Sequence, residues 1–312
     1  MERYIHLFET EAEFNEARQN NYLEPWVSYT ETSERVDYNK PDYTKIPFTI
    51  EALGSGNITW ALGNKTVQYS KNGSSWETMD SSTTISVVEG DEIQFKGTNT
   101  DYCGNTISAT SQFNVKGNIM SLTDGDDFET ADTVNAYGFH RLFSGCTYLV
   151  SACDLKLPVT TLAGNCYQYM FAGCTSLTTA PVLPATELST NCYGSMFSNC
   201  TSLTTAPELP ATTLANYCYY YMFYGCTNLT TAPELPATTL VNYCYQHMFK
   251  DCTNLNYIKA MFTTTPTYTS TGNWVNGVAA TGTFVKNAAA SWTTTGVSGI
   301  PDGWTVKTAP AQ

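Results

Sequence analysis

The residues in this 312-residue sequence whose type and spacing most directly suggest chemistry are its eleven cysteines. Nine of them fall into two columns. Cys146, Cys174, Cys200, Cys226 and Cys252 are separated by 28, 26, 26 and 26 residues, and Cys166, Cys192, Cys218 and Cys244 by 26 throughout. Thiols can ligate metal, form disulfides or attack as nucleophiles. Zinc sites use close pairs such as C-x2-C, and the separations of 8 and 18 here have no such form. An odd count fits a disulfide framework poorly. Cysteines that recur once per repeat stack inward, where Cys behaves as a small hydrophobe. The expectation is buried free thiols, with no metal and no cofactor. Free thiols in turn imply maturation in a reducing compartment, or export tolerated because the thiols are buried.

The other candidate groups are sparse. The three histidines are His6, His140 and His247, none with a visible Ser or Cys partner in the sequence, and no G-x-S-x-G, P-loop or H-E-x-x-H motif is present. Asp124-Gly125-Asp126-Asp127 with Glu129 offers hard oxygens for calcium but lacks EF-hand spacing, so a solvated acidic loop is the favoured reading. Glu187, Glu208 and Glu234 lie near one another in repeat phase, where paired carboxylates would suggest a glycosidase. An active site rarely recurs every turn, so a repeated surface position is favoured. The chain is expected not to be an enzyme.

The elements that must position these residues are set by the repeat. Leu203–Leu214, LTTAPELPATTL, recurs letter for letter as Leu229–Leu240, and the unit is M-F-x-x-C-T-x-L-T-T-A-P-x-L-P-A-T-x-L-x-x-x-C-Y-x-x. Its Thr-rich first half, closed by Pro, reads as a short extended segment. Its second half places Cys218, Met222 and Cys226 at i, i+4 and i+8, which predicts one face of a short helix. Pro181, Pro207 and Pro233 form a column within the extended half, so any parallel ladder must be short or offset from it. Stacked units build a core that one unit alone cannot.

The pattern M-F-x-x-C-T-x-L … L-P … C-Y-x-x-M-F resembles the BspA-like leucine-rich repeats of bacterial surface proteins over about Gly138 to Met261, departing from them in its Ala-Pro pair. The resemblance implies a solenoid of strand-plus-short-helix units. The phrase GTFVK … GIPDGWTV resembles the ends of such chains.

The predicted architecture is β-rich and multidomain: residues 1–41, an N-terminal segment whose Thr10 and Glu13 cap a short helix through Arg18; 42–117, an immunoglobulin-like β-sandwich, read from short alternating strands separated by turns; 118–260, the leucine-rich-repeat solenoid; and 261–312, a β-rich C-terminal cap. Cys103 is the only cysteine of the sandwich region, so an immunoglobulin Cys…Trp…Cys framework is absent.

Composition narrows the partners. Net charge is −13 with only 15 basic residues, unclustered, which disfavours nucleic acid and anionic membrane. No run approaches a membrane span. Met1 to Glu9 does not have the form of a signal peptide, so either the chain does not take the general export route or a leader has been removed.

Between the cysteines the frame C-Y-x-x-M-F-x-x-C is held while other positions vary. Exposed positions that drift freely would look like this. The sharper reading is a recognition surface, since Tyr with Ser, Gly and Asn is the mixture such surfaces use. The candidate ligand-binding residues are Tyr169, Tyr193, Ser195, Tyr219, Tyr220, Tyr221, Tyr224, Gln246 and His247. The expected function is non-enzymatic recognition or adhesion toward a protein or glycan at a cell surface or outside the cell, in a chain free to oligomerise. The alternatives are a phage or appendage structural or receptor-binding (tail-fibre-like) protein of a virion, and a disfavoured glycan-processing enzyme.

Overall fold

The computed structural model describes residues 41–309, and Asp42–Gln312 form one compact unit. The helix expected before Arg18 lies outside the described residues.

Eight short strands come first: β1 (Thr49–Ala52), β2 (Gly56–Trp60), β3 (Val67–Lys71), β4 (Glu77–Met79), β5 (Thr84–Val87), β6 (Glu92–Lys96), β7 (Ile107–Ala109) and β8 (Phe113–Asn118). Alternation places one face of each inside. In β6, Ile93 and Phe95 are buried between more exposed neighbours, and in β5 Ile85 and Val87 are. In the five-residue loop between β3 and β4, Asn72 and Gly73 are left-handed, with φ of 53° and 73°, and make a tight turn closed by the Ser74 N–H bonding to the Lys71 carbonyl at 3.0 Å. The strands form two antiparallel sheets, ordered β5-β2-β7 and β4-β3-β6-β1-β8, and β9 (Leu149–Lys156) joins the second in parallel beside β8. Trp60 of one sheet meets Phe95 of the other edge-on, their rings 5.6 Å apart.

The proline column controls strand length through the repeats. β9 comes from the first repeat, which has no proline until Pro158, and it runs eight residues. The next units carry Pro181, Pro207 and Pro233, and only isolated parallel bridges form there, among them those at Thr179, Thr205 and Thr231, two residues before each proline. Proline has no N–H to continue the ladder. Regular strands return where the column ends, as the parallel sheet β10 (Tyr257–Ala260), β11 (Thr283–Lys286) and β12 (Thr305–Thr308).

The predicted helix in each unit is not there. Between Asn165 and Cys174 the N–H groups of Gln168, Met170, Ala172 and Cys174 bond to carbonyls three residues back. Those between them, Tyr167, Tyr169, Phe171 and Gly173, bond to Cys192, Gly194, Met196 and Ser198 of the next unit. An α-helix would keep all its bonds within itself and its φ near −60°. Here every fourth residue is left-handed: Asn165, Tyr169 and Gly173 have φ of 57°, 56° and 77°, and the pattern recurs at Asn191, Ser195 and Asn199 and at Tyr217, Tyr221 and Gly225. The result is a ribbon of successive turns with a period of four, laced to the next ribbon by half of its amides. Over nine residues that period is indistinguishable from 3.6.

Inward side chains stack from ribbon to ribbon. Phe143, Phe171, Phe197, Phe223 and Phe249 form one ladder with ring spacings of 5.2, 5.5, 5.6 and 5.8 Å. Phe139, Tyr167, Tyr193, Tyr219 and Tyr245 form a second, at 5.8, 5.8, 6.1 and 5.9 Å. The apolar core runs unbroken from Phe48 to Trp304, joining sheets, repeats and terminal strands.

Candidate functional site

The two faces of the turn ribbon carry different chemistry. The inward face holds all nine column cysteines, buried and free. The first column does more than fill space. Cys174, Cys200, Cys226 and Cys252 donate their thiol hydrogens to the carbonyls of Phe143, Phe171, Phe197 and Phe223 at 3.0, 3.1, 3.1 and 3.0 Å, each reaching back into the preceding unit. Burial pushes every column thiol up, Cys146 and Cys192 to about 12 and Cys244 to about 11. Thiols held protonated are neither nucleophiles nor metal ligands.

Cys103 and Cys153 are exposed. Cys103 Sγ lies 3.5 Å from Nδ1 of His140, correcting the expectation that no histidine has a cysteine partner. The partner is 37 residues away and arrives through the fold. Burial, and then Arg141, lower the His140 pKa, which favours the neutral imidazole. Its other neighbours are the rings of Tyr137 and Tyr169 at 5.6 and 6.0 Å, and among the described residues no carboxylate orients it.

Carboxylates are dispersed. Asp126 pairs with Lys96 and Glu234 with Lys259, both at 2.8 Å. The expected acidic ladder is divided: Glu187 bridges Thr161 and Thr213, a different column from that of Glu208 and Glu234, which are 26 residues apart. Among the described residues no three His, Cys, Asp or Glu side chains converge as a metal site would require. An open polar cleft of about 390 Å³ lies beside β3, β4 and β5, lined by Tyr69, Lys71, Glu77 and Ser86 among others.

The outward face receives most of the predicted binding residues. Tyr169, Tyr220, Tyr221, Tyr224 and His247 are all partly exposed. The Tyr220 and Tyr221 rings meet edge-on at 4.5 Å, Tyr221 stacks on His247 at 4.3 Å and 18°, and Tyr224 lies 5.4 Å from Tyr221. Burial is the first cause that raises the pKa of Tyr220 and Tyr221. Burial, then Lys250, lower the pKa of His247. The Lys250 ammonium sits 5.5 Å from the Tyr224 ring.

Four of the predicted residues sit elsewhere. Tyr193 and Tyr219 are 1% exposed, rungs of the inner ladder, and cannot meet a ligand. They immediately follow a column cysteine, so they face the core with it. Gln246 is buried and its amide donates to the Tyr268 carbonyl at 3.2 Å. Ser195 is also buried, at a left-handed position of its ribbon.

Sequence reasoning missed several members of this face. Arg141 stands 4.4 Å over the Tyr169 ring, Tyr217 and Tyr243 stack at 4.4 Å, and Tyr268 is 65% exposed. The signal for Tyr217 and Tyr243 was their 26-residue separation, which places them in one column.

Comparison with curated proteins and with solved structures finds no match. A family model for the BspA type leucine-rich repeat region matches residues 141–271 in six copies. These are the residues whose turn ribbons, thiol columns and aromatic ladders repeat, so the match falls on the part of the chain that resembles such repeats.

Proposed function

We propose that this is a non-enzymatic recognition protein acting at a cell surface or outside the cell. In this reading the paired sheets of 42–117 form an immunoglobulin-like sandwich, and the repeats form a solenoid that presents the outward face of its turn ribbons to a protein or glycan. The observation that carries the reading is the contrast across one ribbon. Inward positions repeat as Cys, Tyr, Met and Phe, while outward positions change from unit to unit and concentrate Tyr169, Tyr220, Tyr221, Tyr224 and His247 on one strip. Tyrosine supplies contact area at low entropy cost, and the rigid frame limits what is lost on binding.

The test is binding of the purified chain to a glycan array and to cell-surface preparations, compared with Tyr220→Ala and Tyr224→Ala. Binding that falls at least tenfold in both variants, with unchanged melting temperature, supports the reading. Binding by neither the chain nor its variants removes it.

A further inference from the structure

Of the eleven cysteines, one stands exposed beside a base. The nine column thiols are buried. Cys153, exposed on β9, has the Ser151 hydroxyl 3.3 Å from its sulfur, which is no base at neutral pH. Cys103 is exposed with Nδ1 of His140 3.5 Å from its sulfur.

The fold builds this contact from both sides. Cys103 sits at the tip of a tight turn, closed by the Asn105 N–H on the Tyr102 carbonyl at 2.9 Å. Gly104 takes the third place of the turn with φ of 74°, where a type II turn needs a left-handed residue. Amides on either side of Cys103 tie the turn to the first ribbon: Tyr102 donates to the Gly138 carbonyl at 2.7 Å and Gly104 to the His140 carbonyl at 3.4 Å. Tyr102 is anchored in the core, its hydroxyl donating to the Leu122 carbonyl at 2.6 Å. The Asp101 carboxylate accepts from the Cys103 N–H at 3.0 Å, and its charge is matched by Lys65 at 2.6 Å. The half-buried imidazole meets the Tyr137 and Tyr169 rings edge-on at 5.6 and 6.0 Å. Sulfur and nitrogen are thus held together by fixed neighbours while the sulfur keeps a side open to solvent.

The thiolate, and not the thiol, attacks sulfur, and an adjacent imidazole generates it by accepting the thiol proton. Burial, then Arg141, favour the neutral ring that can accept it. Exchange at a sulfur needs an open approach and a base, and no pocket, so an exposed turn tip suffices.

We propose that Cys103 is a thiol–disulfide exchange site, with His140 as its base, through which the chain takes up a small organic disulfide as a covalent modification. The Cys103 thiol proton passes to Nδ1, and the sulfur attacks one sulfur of the guest R–S–S–R. The guest S–S bond breaks as the bond to Cys103 forms. The departing thiolate takes the proton back from the imidazolium, leaving Cys103–S–S–R and RSH. Cys103 is oxidised and half of the guest is reduced, so no further oxidant enters. The site is independent of the proposed recognition role.

The experiment adds 4,4′-dithiodipyridine, a neutral disulfide, below stoichiometry to the native full chain at neutral pH. Pyridinethione release gives the rate, and peptide mass spectrometry gives the residue modified. Cys153 is the internal reference, an exposed thiol without a base. Cys103 should react at least tenfold faster than Cys153, and oxidised glutathione should modify the same residue. His140→Asn, whose amide oxygen can accept the thiol hydrogen bond but not its proton, should slow Cys103 at least fivefold with the melting temperature unchanged. Equal rates at Cys103 and Cys153 in the unaltered chain overturn the proposal, as does an undiminished Cys103 rate in His140→Asn. The first comparison needs no variant, so it decides even where His140→Asn fails to fold.

Discussion

The inner and outer faces of the same turn ribbon are built from overlapping residue types put to opposite uses. Tyr219 and Tyr220 are sequence neighbours. One is a buried rung of a ladder running through the core, the other lies on the outer cluster. Neither residue type nor a helical periodicity separates them. The four-residue period of the ribbon does, because it turns each Cys-Tyr and Met-Phe pair inward and the following pair outward. One face is thereby fixed by packing, and the other is free to vary within the limits of its left-handed positions.

Substitutions sharpen this comparison. Phe197→Ala removes the middle rung of the Phe ladder, and is expected to cost about 3–5 kcal/mol, seen in denaturant unfolding with little change of slope. Gly225→Val attacks the ribbon backbone itself. Gly225 has φ of +69°, and a Cβ there would strike the Asn199 side chain, so a loss of about 2–3 kcal/mol is expected by the same measurement. Tyr219→Phe has the opposite sign. The hydroxyls of Tyr167, Tyr193, Tyr219 and Tyr245 are buried without partners, so removing one should leave the melting temperature unchanged or raise stability by up to about 1 kcal/mol. Tyr220→Ala, on the outer face, should change stability by less than about 0.5 kcal/mol while reducing binding.

Much of this plan was legible in the sequence. The 26-residue period, the inward cysteines and the short ladder before each proline come from spacing and from the missing proline N–H. The ribbon was not legible as a helix alternative from apolar spacing alone. The overlooked signal was composition at the left-handed positions: Gly173, Asn199, Gly225 and Asp251 form a column of the residues that tolerate positive φ, and Asn165 and Asn191 add to it. Tyr193 and Tyr219 were assigned to the ligand by residue type, although their fixed place beside Cys192 and Cys218 marks them as frame. The Cys103–His140 pair and the Arg141–Tyr169 contact arise from tertiary placement, which no local pattern encodes.

Thiol labelling tests the inward and outward assignment most directly. In native buffer at neutral pH, a thiol-reactive reagent should modify two of the eleven cysteines, Cys103 and Cys153, and all eleven after denaturation. Rapid native labelling of any cysteine in the two columns, or fewer than eleven free thiols in the denatured chain without reductant, would contradict the stacked arrangement described.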